Sequence, residues 1–383
     1  MVTNGLHSSG VASAKALAGS GYDVIGADFG RLPFNLSSRH VRVHYPILGS
    51  NSKELKRTLL EGIARHRPSA LLPIGSRFVA AAISGRQEIE VTTALQVPSL
   101  EAFLSAFEKP LCMAECRKLG IAHAQVYTLA EARQLLGGAH RSTRLVLKPD
   151  FDAGGAQGVR YPSNLEELEE FYGATVLQYG GAMIQEYIPG TVKTMKAVTL
   201  LFGEGGRLVA AFTIQKLGQW PREGGVTTLA QSTADEGIVN QMLPFFEKLK
   251  WVGAAEVELK YDERDGLDKV IEINPRFPGY VGFALECGLR LPQLAVAEAL
   301  GEGEARELVF PSYRLGEVYC NPGLLMEAVW SDLSSGIKPD LGLRSAEMIV
   351  RPACRGVGSW FGDPGPMVGR VLDRFRRTGE SHC

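Results

Sequence analysis

The residues best suited to chemistry lie close together near the middle of this 383-residue chain. Two runs of alternating apolar and polar residues, Ala254–Tyr261 and Lys269–Asn274, flank a turn-rich segment, which predicts a β-hairpin. Side chains alternate between the faces of a strand, so Glu272 and Asn274 share one face of the second strand. Pairing of the strands can bring them to Glu258 as a set of oxygen ligands, the type that Mg²⁺ prefers.

A solvated hairpin face is the alternative reading of these acidic residues, because charged side chains are usually exposed. The sequence Asn-Pro-Arg at the end of the second strand favours a metal site instead, since it places Arg276 just beyond the ligands. Glu256 shares a face with Glu258. We treat Glu256 as a strand-face residue rather than a ligand, so its replacement by glutamine is expected to be mild.

This hairpin resembles the metal-binding hairpin of the ATP-grasp superfamily, which includes biotin carboxylase, carbamoyl-phosphate synthase and D-alanine–D-alanine ligase. By that resemblance, Glu258, Glu272 and Asn274 are the magnesium ligands. Arg276 matches the family's arginine near the reacting carboxyl or phosphoryl group. The resemblance covers roughly Ser99 to Gly301, and it implies ATP and Mg²⁺ as cofactors.

Composition indicates a globular chain of two or three domains. Hydrophobic residues make up 45% and the formal net charge is -1, so no nucleic-acid partner is expected. Six cysteines without a C-x-x-C pair favour a reduced, cytoplasmic protein, in which Cys112 and Cys116 pack in the core or on a helix face. No uncharged apolar run reaches membrane-spanning length, so no membrane partner is expected either.

The beginning of the chain predicts an open α/β domain. A short strand, a loop from Gly5 to Gly10, a helix and a strand ending at Asp28 precede a helix over Ser52–His66 and a strand over Ala70–Pro73. The two loop glycines do not make the G-x-G-x-x-G pattern, so nicotinamide binding is disfavoured. Because the sequence starts abruptly, we expect the first strand to be incomplete.

Two lysines and a glycine-rich loop stand where they can hold phosphate. Lys109 lies at the entrance of a helix, so its ammonium and the helix N-terminus can act on one anion. Lys148 ends a strand before a loop with Gly154, Gly155 and Gly158, whose backbone N–H groups can close over phosphates. Each feature alone is also compatible with an ordinary surface. By the resemblance, Lys109 is the phosphate-binding lysine, and Lys148 with the loop forms the lid.

The sequence M-I-Q-E-Y-I-P-G predicts a strand end followed by a turn, a backbone arrangement that can receive an adenine ring. By the resemblance this segment is the hinge that contacts the nucleotide, with Gln185, Glu186 and Ile188. Many relatives place a glutamate two residues after the hinge glycine to hold the ribose. This chain has Val192 there, so no ribose contact is assigned.

A loop near the end of a strand pair completes the candidate site. Strands are predicted around Lys196–Phe202 and Leu208–Gln215, and the pattern P-x-x-G-G-x-x-T follows at residues 221–228. This loop resembles one near the second-substrate site of many ATP-grasp ligases. By that resemblance Lys216 and Arg222 hold a carboxylate or the transferred phosphoryl group, although surface charge is an equal alternative for Arg222.

Capping patterns and apolar periodicity predict further helices. Thr128 with Glu131, and Ser163 with Glu166, have the spacing of capping boxes at helix starts. The segment Asp235–Lys250 has apolar residues along one side, so this helix is expected to pack under the metal hairpin.

The predicted fold class is α/β and α+β, an open α/β domain followed by a two-subdomain ATP-grasp fold. The predicted domains are 1–98 (α/β), 99–305 (ATP-grasp, with subdomains 99–184 and 185–305) and 306–383 (a C-terminal extension). The extension contains F-G-D-P-G-P and a basic helix near Met367–Arg377. We expect that basic face to be solvated rather than to bind nucleic acid.

The resemblance implies a ligase that activates a carboxylate as an acyl phosphate with ATP and joins it to an amine. Its partners are then small-molecule carboxylate and amine substrates, with a homodimer as an open alternative to a monomer. Two other functions stay open. Bicarbonate can be the carboxyl donor, as in biotin carboxylase or carbamoyl-phosphate synthase, although the latter normally uses two grasp units. The chain can also be a nucleotide-binding module without catalysis, for which Val192 is the hint.

Overall fold

The computed structural model describes residues 1–3, 7–29, 38–49, 51–138, 144–151, 157–222, 224–303, 309–334 and 354–355. Gly5, the loop glycines Gly154 and Gly155, the F-G-D-P-G-P segment and the helix predicted near Met367–Arg377 lie outside these ranges. No helix within them is long and apolar enough to cross a membrane.

Parallel strands and helices form the first part of the chain. The elements are β1 (Val2–Thr3), α1 (Ser8–Ala18), β2 (Ile25–Phe29), β3 (Val43–Ile47), α2 (Ser52–His66), β4 (Ala70–Leu71), α3 (Ser76–Ser84), α4 (Arg86–Ile89) and β5 (Ala94–Leu95). Strands β1, β2 and β3 form one parallel sheet, and β4 pairs in parallel with β5. A parallel bridge between Val2 and Leu72 joins the two groups. The predicted open α/β arrangement is therefore confirmed.

The next part contains a small antiparallel sheet and four helices. The elements are α5 (Leu100–Phe107), α6 (Lys109–Lys118), β6 (Val126–Tyr127), α7 (Leu129–Gly137), β7 (Leu145–Pro149), α8 (Leu165–Tyr179) and β8 (Ala182–Glu186). The strand order is β6-β8-β7. Ala132 of α7 and Leu168 of α8 are buried against Leu145, Leu147 and Ile184 of the sheet. Burial of this apolar surface holds the two helices on one face of the small sheet.

One of the two predicted capping boxes is confirmed and the other is wrong. Thr128 and Glu131 make both reciprocal hydrogen bonds of a capping box at the start of α7. At α8 the N-cap is Asn164, whose side-chain oxygen accepts from the Glu167 N–H at 2.9 Å. Because Asn caps helices as well as Ser does, the helix begins one residue later than the Ser163–Glu166 pair predicts.

A seven-stranded sheet carries the rest of the described chain. Its elements and their helices are β9 (Met195–Phe202), β10 (Leu208–Trp220), β11 (Val226–Thr233), α9 (Glu236–Lys248), β12 (Gly253–Asp262), β13 (Leu267–Asn274), α10 (Val281–Glu286), α11 (Leu291–Ala299), β14 (Val318–Cys320), α12 (Pro322–Ser334) and β15 (Cys354–Arg355). The strand order is β13-β12-β9-β10-β11-β14-β15. Central strand β9 is apolar on both faces: Ala197 and Leu201 face one core, and Val198 and Leu200 face another. Such a strand is expected where both faces of a sheet are covered.

The predicted hairpin is present as β12 and β13, and helix α9 packs against it. Met242 and Phe246 of α9 share a buried cluster with Val257 and Leu259 of β12. Cys112 and Cys116, predicted to pack in the core or on a helix face, belong to the same buried cluster. Helix α9 therefore covers the apolar face of the hairpin, and the polar face carries the candidate ligands.

The domain division remains a proposal, and the structure adds detail to it. Strand β8 runs through the predicted division between residues 184 and 185 and ends at Glu186. Strand β14, which belongs to the predicted C-terminal extension, is hydrogen-bonded to β11 in the seven-stranded sheet. We propose the same division with the subdomain boundary after Glu186 and with β14 counted as part of the large sheet.

Candidate active site

The register of the hairpin brings the predicted acidic ligands together. Glu258 of β12 lies directly opposite Glu272 of β13, but the next pair is Leu259 with Val270, which leaves Ile271 as the extra residue of a bulge. The side chain of Glu258 is 20% exposed and that of Glu272 is 27% exposed. Both carboxylates thus lie in a recess of the surface and are accessible to a small ion.

Three buried lysines from separate segments converge on this pair. Lys216 of β10 places Nζ 2.7 Å from Oε2 of Glu258. Lys109, in the first turn of α6, places Nζ 3.6 Å from Oε2 of Glu272. Lys148 of β7 donates to the main-chain oxygen of the bulged residue at 3.2 Å. All three side chains are buried, so their charges act at short range and with little screening by water.

The charges in the recess determine the protonation of its members. Burial disfavours the Glu272 carboxylate, but the charges of Lys109 and Lys148 outweigh burial and lower the pKa of Glu272 to about 2. Burial lowers the pKa of Lys148 to about 8, although the Glu272 charge opposes that change. Glu272 is therefore ionised at neutral pH, and Lys148 is a cation that pays a desolvation cost.

Arg276 and Asn274 meet at a third acidic residue, Glu256, which the sequence analysis did not assign to the site. Nη1 of Arg276 donates to Oε2 of Glu256 at 2.9 Å, and Nδ2 of Asn274 lies 3.4 Å from the same oxygen. Nδ2 of Asn274 also lies 3.3 Å from Oε1 of Glu272. Strand alternation places Glu256 on this face, but only the register shows that it lies opposite Asn274.

The predicted hinge lies on the strand next to Lys148. Gln185 is buried in the central strand of the small sheet, and its Nε2 lies 3.5 Å from the Ala124 oxygen. Glu186 accepts hydrogen bonds from the Gln125 N–H at 3.0 Å and from Arg264 at 2.8 Å. Both side chains are thus engaged with protein groups, and the Glu186 N–H donates to the Gln125 oxygen at 2.8 Å. Ile188 is buried.

The loop between β7 and α8 is described only in part. The two main-chain hydrogen bonds between Leu147 and Arg160 close its base. Gly158 has φ +76, and a Cβ there would stand 2.7 Å from Pro149 Cγ, so this position requires glycine. The predicted lid function of the loop stays a prediction. Val192 begins a short helical turn, and it offers no carboxylate for a ribose.

The donor set fits a magnesium ion. It contains two carboxylates and one amide, and all three can offer oxygen, which Mg²⁺ prefers in combination with water and phosphate. Among the residues that the structure describes, no group of three or more His, Cys, Asp or Glu is arranged to hold a metal by itself. Around these ligands, the cations Lys109, Lys148, Lys216 and Arg276 exceed the carboxylates Glu256, Glu258 and Glu272 by one charge. The recess is therefore suited to an anion with a bound divalent cation.

Comparison with known proteins agrees with this geometry. Residues 110–280 match the family model of an ATP-grasp domain. No curated protein matches the chain in a sequence comparison.

Several solved structures have a similar fold. A biotin carboxylase from Campylobacter jejuni is 14% identical, with a TM-score of 0.64 over 82% of this chain and 72% of that chain. An L-amino acid ligase from Bacillus licheniformis is 17% identical, with a TM-score of 0.60 over 82% of this chain and 76% of that chain. A third similar structure is the biotin carboxylase domain of Hydrogenobacter thermophilus 2-oxoglutarate carboxylase, in complex with MgADP and bicarbonate. It is 16% identical, with a TM-score of 0.60 over 80% of this chain and 70% of that chain. At these identities the similarity establishes the fold.

Proposed function

The chain contains an ATP-grasp domain, and from that premise we propose that it is an ATP-dependent ligase that joins a carboxylate to an amine. The main support is the convergence of Lys109, Lys148 and Lys216 on Glu258 and Glu272. This recess combines phosphate-binding cations with the oxygen ligands of Mg²⁺. Two similar folds are an L-amino acid ligase and a carboxylase domain with bound MgADP, which agrees with ATP and Mg²⁺ as the cofactors.

We assign the metal and nucleotide roles as follows. Glu258, Glu272 and Asn274 hold Mg²⁺, which when bound neutralises phosphate charge and orients the phosphates for transfer. Lys109 and Lys148 hold the phosphates, together with the loop that contains Gly154, Gly155 and Gly158. The hinge Gln185, Glu186 and Ile188 receives the adenine ring through its main chain.

Arg276 and Lys216 act on the reacting groups. An oxygen of the substrate carboxylate attacks the γ-phosphorus of ATP, and ADP leaves. The amine nitrogen then attacks the acyl carbon, the bond to the phosphate oxygen breaks, and the amine proton passes to solvent. Arg276 stabilises the negative charge that develops on the acyl and phosphoryl oxygens, as preorganised donors do. Lys216, buried beside Glu258, attracts the carboxylate or the transferred phosphoryl group.

The test is a screen for ADP release against amino acids and other small acids, with and without an added amine. The proposal predicts ADP release that needs Mg²⁺ and one class of carboxylate, and a hydroxamate when hydroxylamine replaces the amine. Release with bicarbonate alone would favour the carboxylase alternative. Mg²⁺-dependent ATP binding without release or trapping across the panel would favour a silent nucleotide-binding module.

The proposed partners are small molecules. We also propose a homodimer, since one of the similar structures is a domain dimer. The mass of the protein in solution, measured by light scattering, decides between a monomer and a dimer.

A further inference from the structure

Glu256 stands between the proposed metal ligands and the proposed catalytic arginine. Its side chain is 5% exposed and contacts both Arg276 and Asn274. We propose that Glu256 is a positioning residue, which directs the amide oxygen of Asn274 toward the metal and fixes the guanidinium of Arg276 beside the reacting group. This inference rests on the proposed ligase function.

The contact with Asn274 sets the direction of its amide. An amide has a donor side and an acceptor side. Nδ2 of Asn274 lies within 3.4 Å of Glu256 and 3.3 Å of Glu272, so two acidic neighbours hold the donor side. The amide oxygen is then the atom of Asn274 that remains to ligate a metal. Groups that orient ligands in this way commonly decide metal affinity.

The contact with Arg276 fixes one corner of a planar group. A guanidinium carries five N–H donors in a rigid arrangement, so the 2.9 Å bond from Nη1 to Glu256 sets the direction of the others. Nη1 also donates to the Phe277 main-chain oxygen at 3.3 Å. Two acceptors thus hold this nitrogen, and the side chain is still 22% exposed. Arg276 is therefore anchored through Nη1, and its side chain is partly exposed at the recess.

A purely structural role does not explain a carboxylate at this position. Burial raises the pKa of Glu256, and the charge of Arg276 opposes that effect. A buried ion pair is often no more stabilising than apolar residues of similar volume. The register that places Glu256 opposite Asn274 also places Glu258 opposite Glu272. One strand therefore supplies both a ligand and the group that orients its neighbours.

The test compares Glu256→Gln with Glu263→Gln, a control at an exposed position of the same hairpin. Glutamine keeps the shape of the side chain and removes its charge. We expect Glu256→Gln to weaken ADP binding in the presence of Mg²⁺ by about 10- to 100-fold. Binding with a chelator present, and the thermal unfolding midpoint, should stay as in the wild type. A merely structural role would instead change both affinities together.

A double-mutant cycle tests the effect on Arg276. With the carboxylate found in the screen and with saturating MgATP, Glu256→Gln should lower kcat by at least about 10-fold, in addition to the rise in the KM for ATP that its weaker Mg²⁺-dependent binding predicts. In an Arg276→Ala background, the same change should cost less than about threefold, because groups that act through one another are not additive. Full additivity would overturn the inference.

The remaining outcomes separate this inference from the proposed function. If the wild type binds ADP with Mg²⁺ and Glu256→Gln matches it within about twofold, less than 0.5 kcal/mol, the inference is wrong and the function stands. If the wild type shows no Mg²⁺-dependent binding, both are wrong. Should Glu256→Gln not fold, Glu256→Asp replaces it. Its shorter side chain keeps the charge but should still lower the Mg²⁺-dependent affinity, and wild-type affinity would refute the positioning role.

Discussion

Glu272 is the single residue on which most of the site depends. Lys109 and Asn274 contact its carboxylate, and the charge of Lys148 adds to that of Lys109. The low pKa of Glu272 keeps it ionised over the whole physiological range. A neutral replacement therefore removes a ligand charge and leaves its cationic neighbours without that counter-charge.

We expect Glu272→Gln to abolish turnover and to keep the fold. Loss of one carboxylate weakens the Mg²⁺ site. It removes no apolar packing, but it leaves the buried Lys109 and Lys148 without their counter-charge, so the free energy of unfolding should fall by about 2 to 3 kcal/mol at pH 7. ADP release should fall by at least about 100-fold. Steady-state ADP release and urea unfolding check the two parts. Near-normal turnover in Glu272→Gln would show that the ligand assignment is wrong.

Burial of the charged Lys148 side chain destabilises the folded protein. Its pKa falls to about 8 because of burial, from an ordinary value of about 10.4 in the unfolded chain. We expect Lys148→Met to raise the free energy of unfolding by about 1 to 2 kcal/mol at pH 7. This value is the desolvation cost that the variant avoids, reduced by the hydrogen bond that it loses. MgATP binding should weaken at least about 10-fold, because the variant lacks a cation that we propose binds phosphate.

The stabilisation should depend on pH in a defined way. The desolvation cost in the wild type is complete below a pH of about 8 and disappears above about 10.5, where the lysine is neutral in both states. The advantage of Lys148→Met should therefore shrink from pH 7 to pH 10.5 in urea unfolding. Lys53→Met, at an exposed position, is the control. An advantage that is constant with pH would rule out desolvation as the cause.

At the scale of elements, the hairpin was largely predictable and its fine register was not. Alternation located both strands, and it placed Glu258 and Glu272 on polar faces. The bulge at Ile271 shifts the pairing by one residue, and strand alternation alone does not locate such a shift. The long-range partners of Glu256 and Lys216 likewise could not be read from local patterns, because Lys216 meets Glu258 across 42 positions.

The turn end of the hairpin is held by a buried ion cluster. Asp262 is fully buried and contacts Arg264 and Lys269, which also contact Glu186 of β8. The hydrogen bond from Arg264 is the largest contribution that lowers the pKa of Asp262. The cluster therefore joins the hairpin to the small sheet through an ionised carboxylate.

We expect Asp262→Asn to destabilise the fold by about 2 to 3 kcal/mol at pH 7, less than for a fully buried pair because Arg264 is half exposed. The folded-state pKa is lowered, so this stability is present above the unfolded pKa of about 3.9 and is lost as pH falls further. The difference from wild type should therefore shrink below pH 4. Urea unfolding at pH 7 and pH 3 measures it, with Asp23→Asn, in an exposed ion pair, as the control. An equal difference at both pH values would contradict the prediction.

At the scale of the whole molecule, segments far apart in sequence pair to form the large sheet. The C-terminal part was expected to be an extension, but its strand β14 joins the large sheet. Tyr313 lies in the segment just before β14. Its hydroxyl donates to the Thr233 oxygen of β11 at 2.7 Å and accepts from the Thr213 N–H of β10 at 3.0 Å, so it holds this segment against the large sheet. Such distant pairings leave no periodic signal in a short window of sequence, which is why they were missed.

We expect Tyr313→Phe to lower the free energy of unfolding by about 1 to 2 kcal/mol, since it removes a buried acceptor and donor but keeps the ring. Mg²⁺-dependent ADP binding should be unchanged, because the residue has no contact with the candidate site. Chemical unfolding and calorimetry provide the two readings. Tyr22→Phe, at an exposed position, should have almost no effect. A stability equal to wild type would show that the two hydrogen bonds do not anchor this segment.

Lys109, Lys148 and Lys216 come from three separate segments of the chain. A polyphosphate that contacts all three therefore also links these segments to one another. Under the proposed assignment of these lysines, the free energy of their contacts with the phosphates also holds the small sheet against the hairpin. Ligand binding and clamping are one equilibrium, so each strengthens the other by the same amount. A change that loosens the small sheet will thus weaken nucleotide binding even if it touches no phosphate.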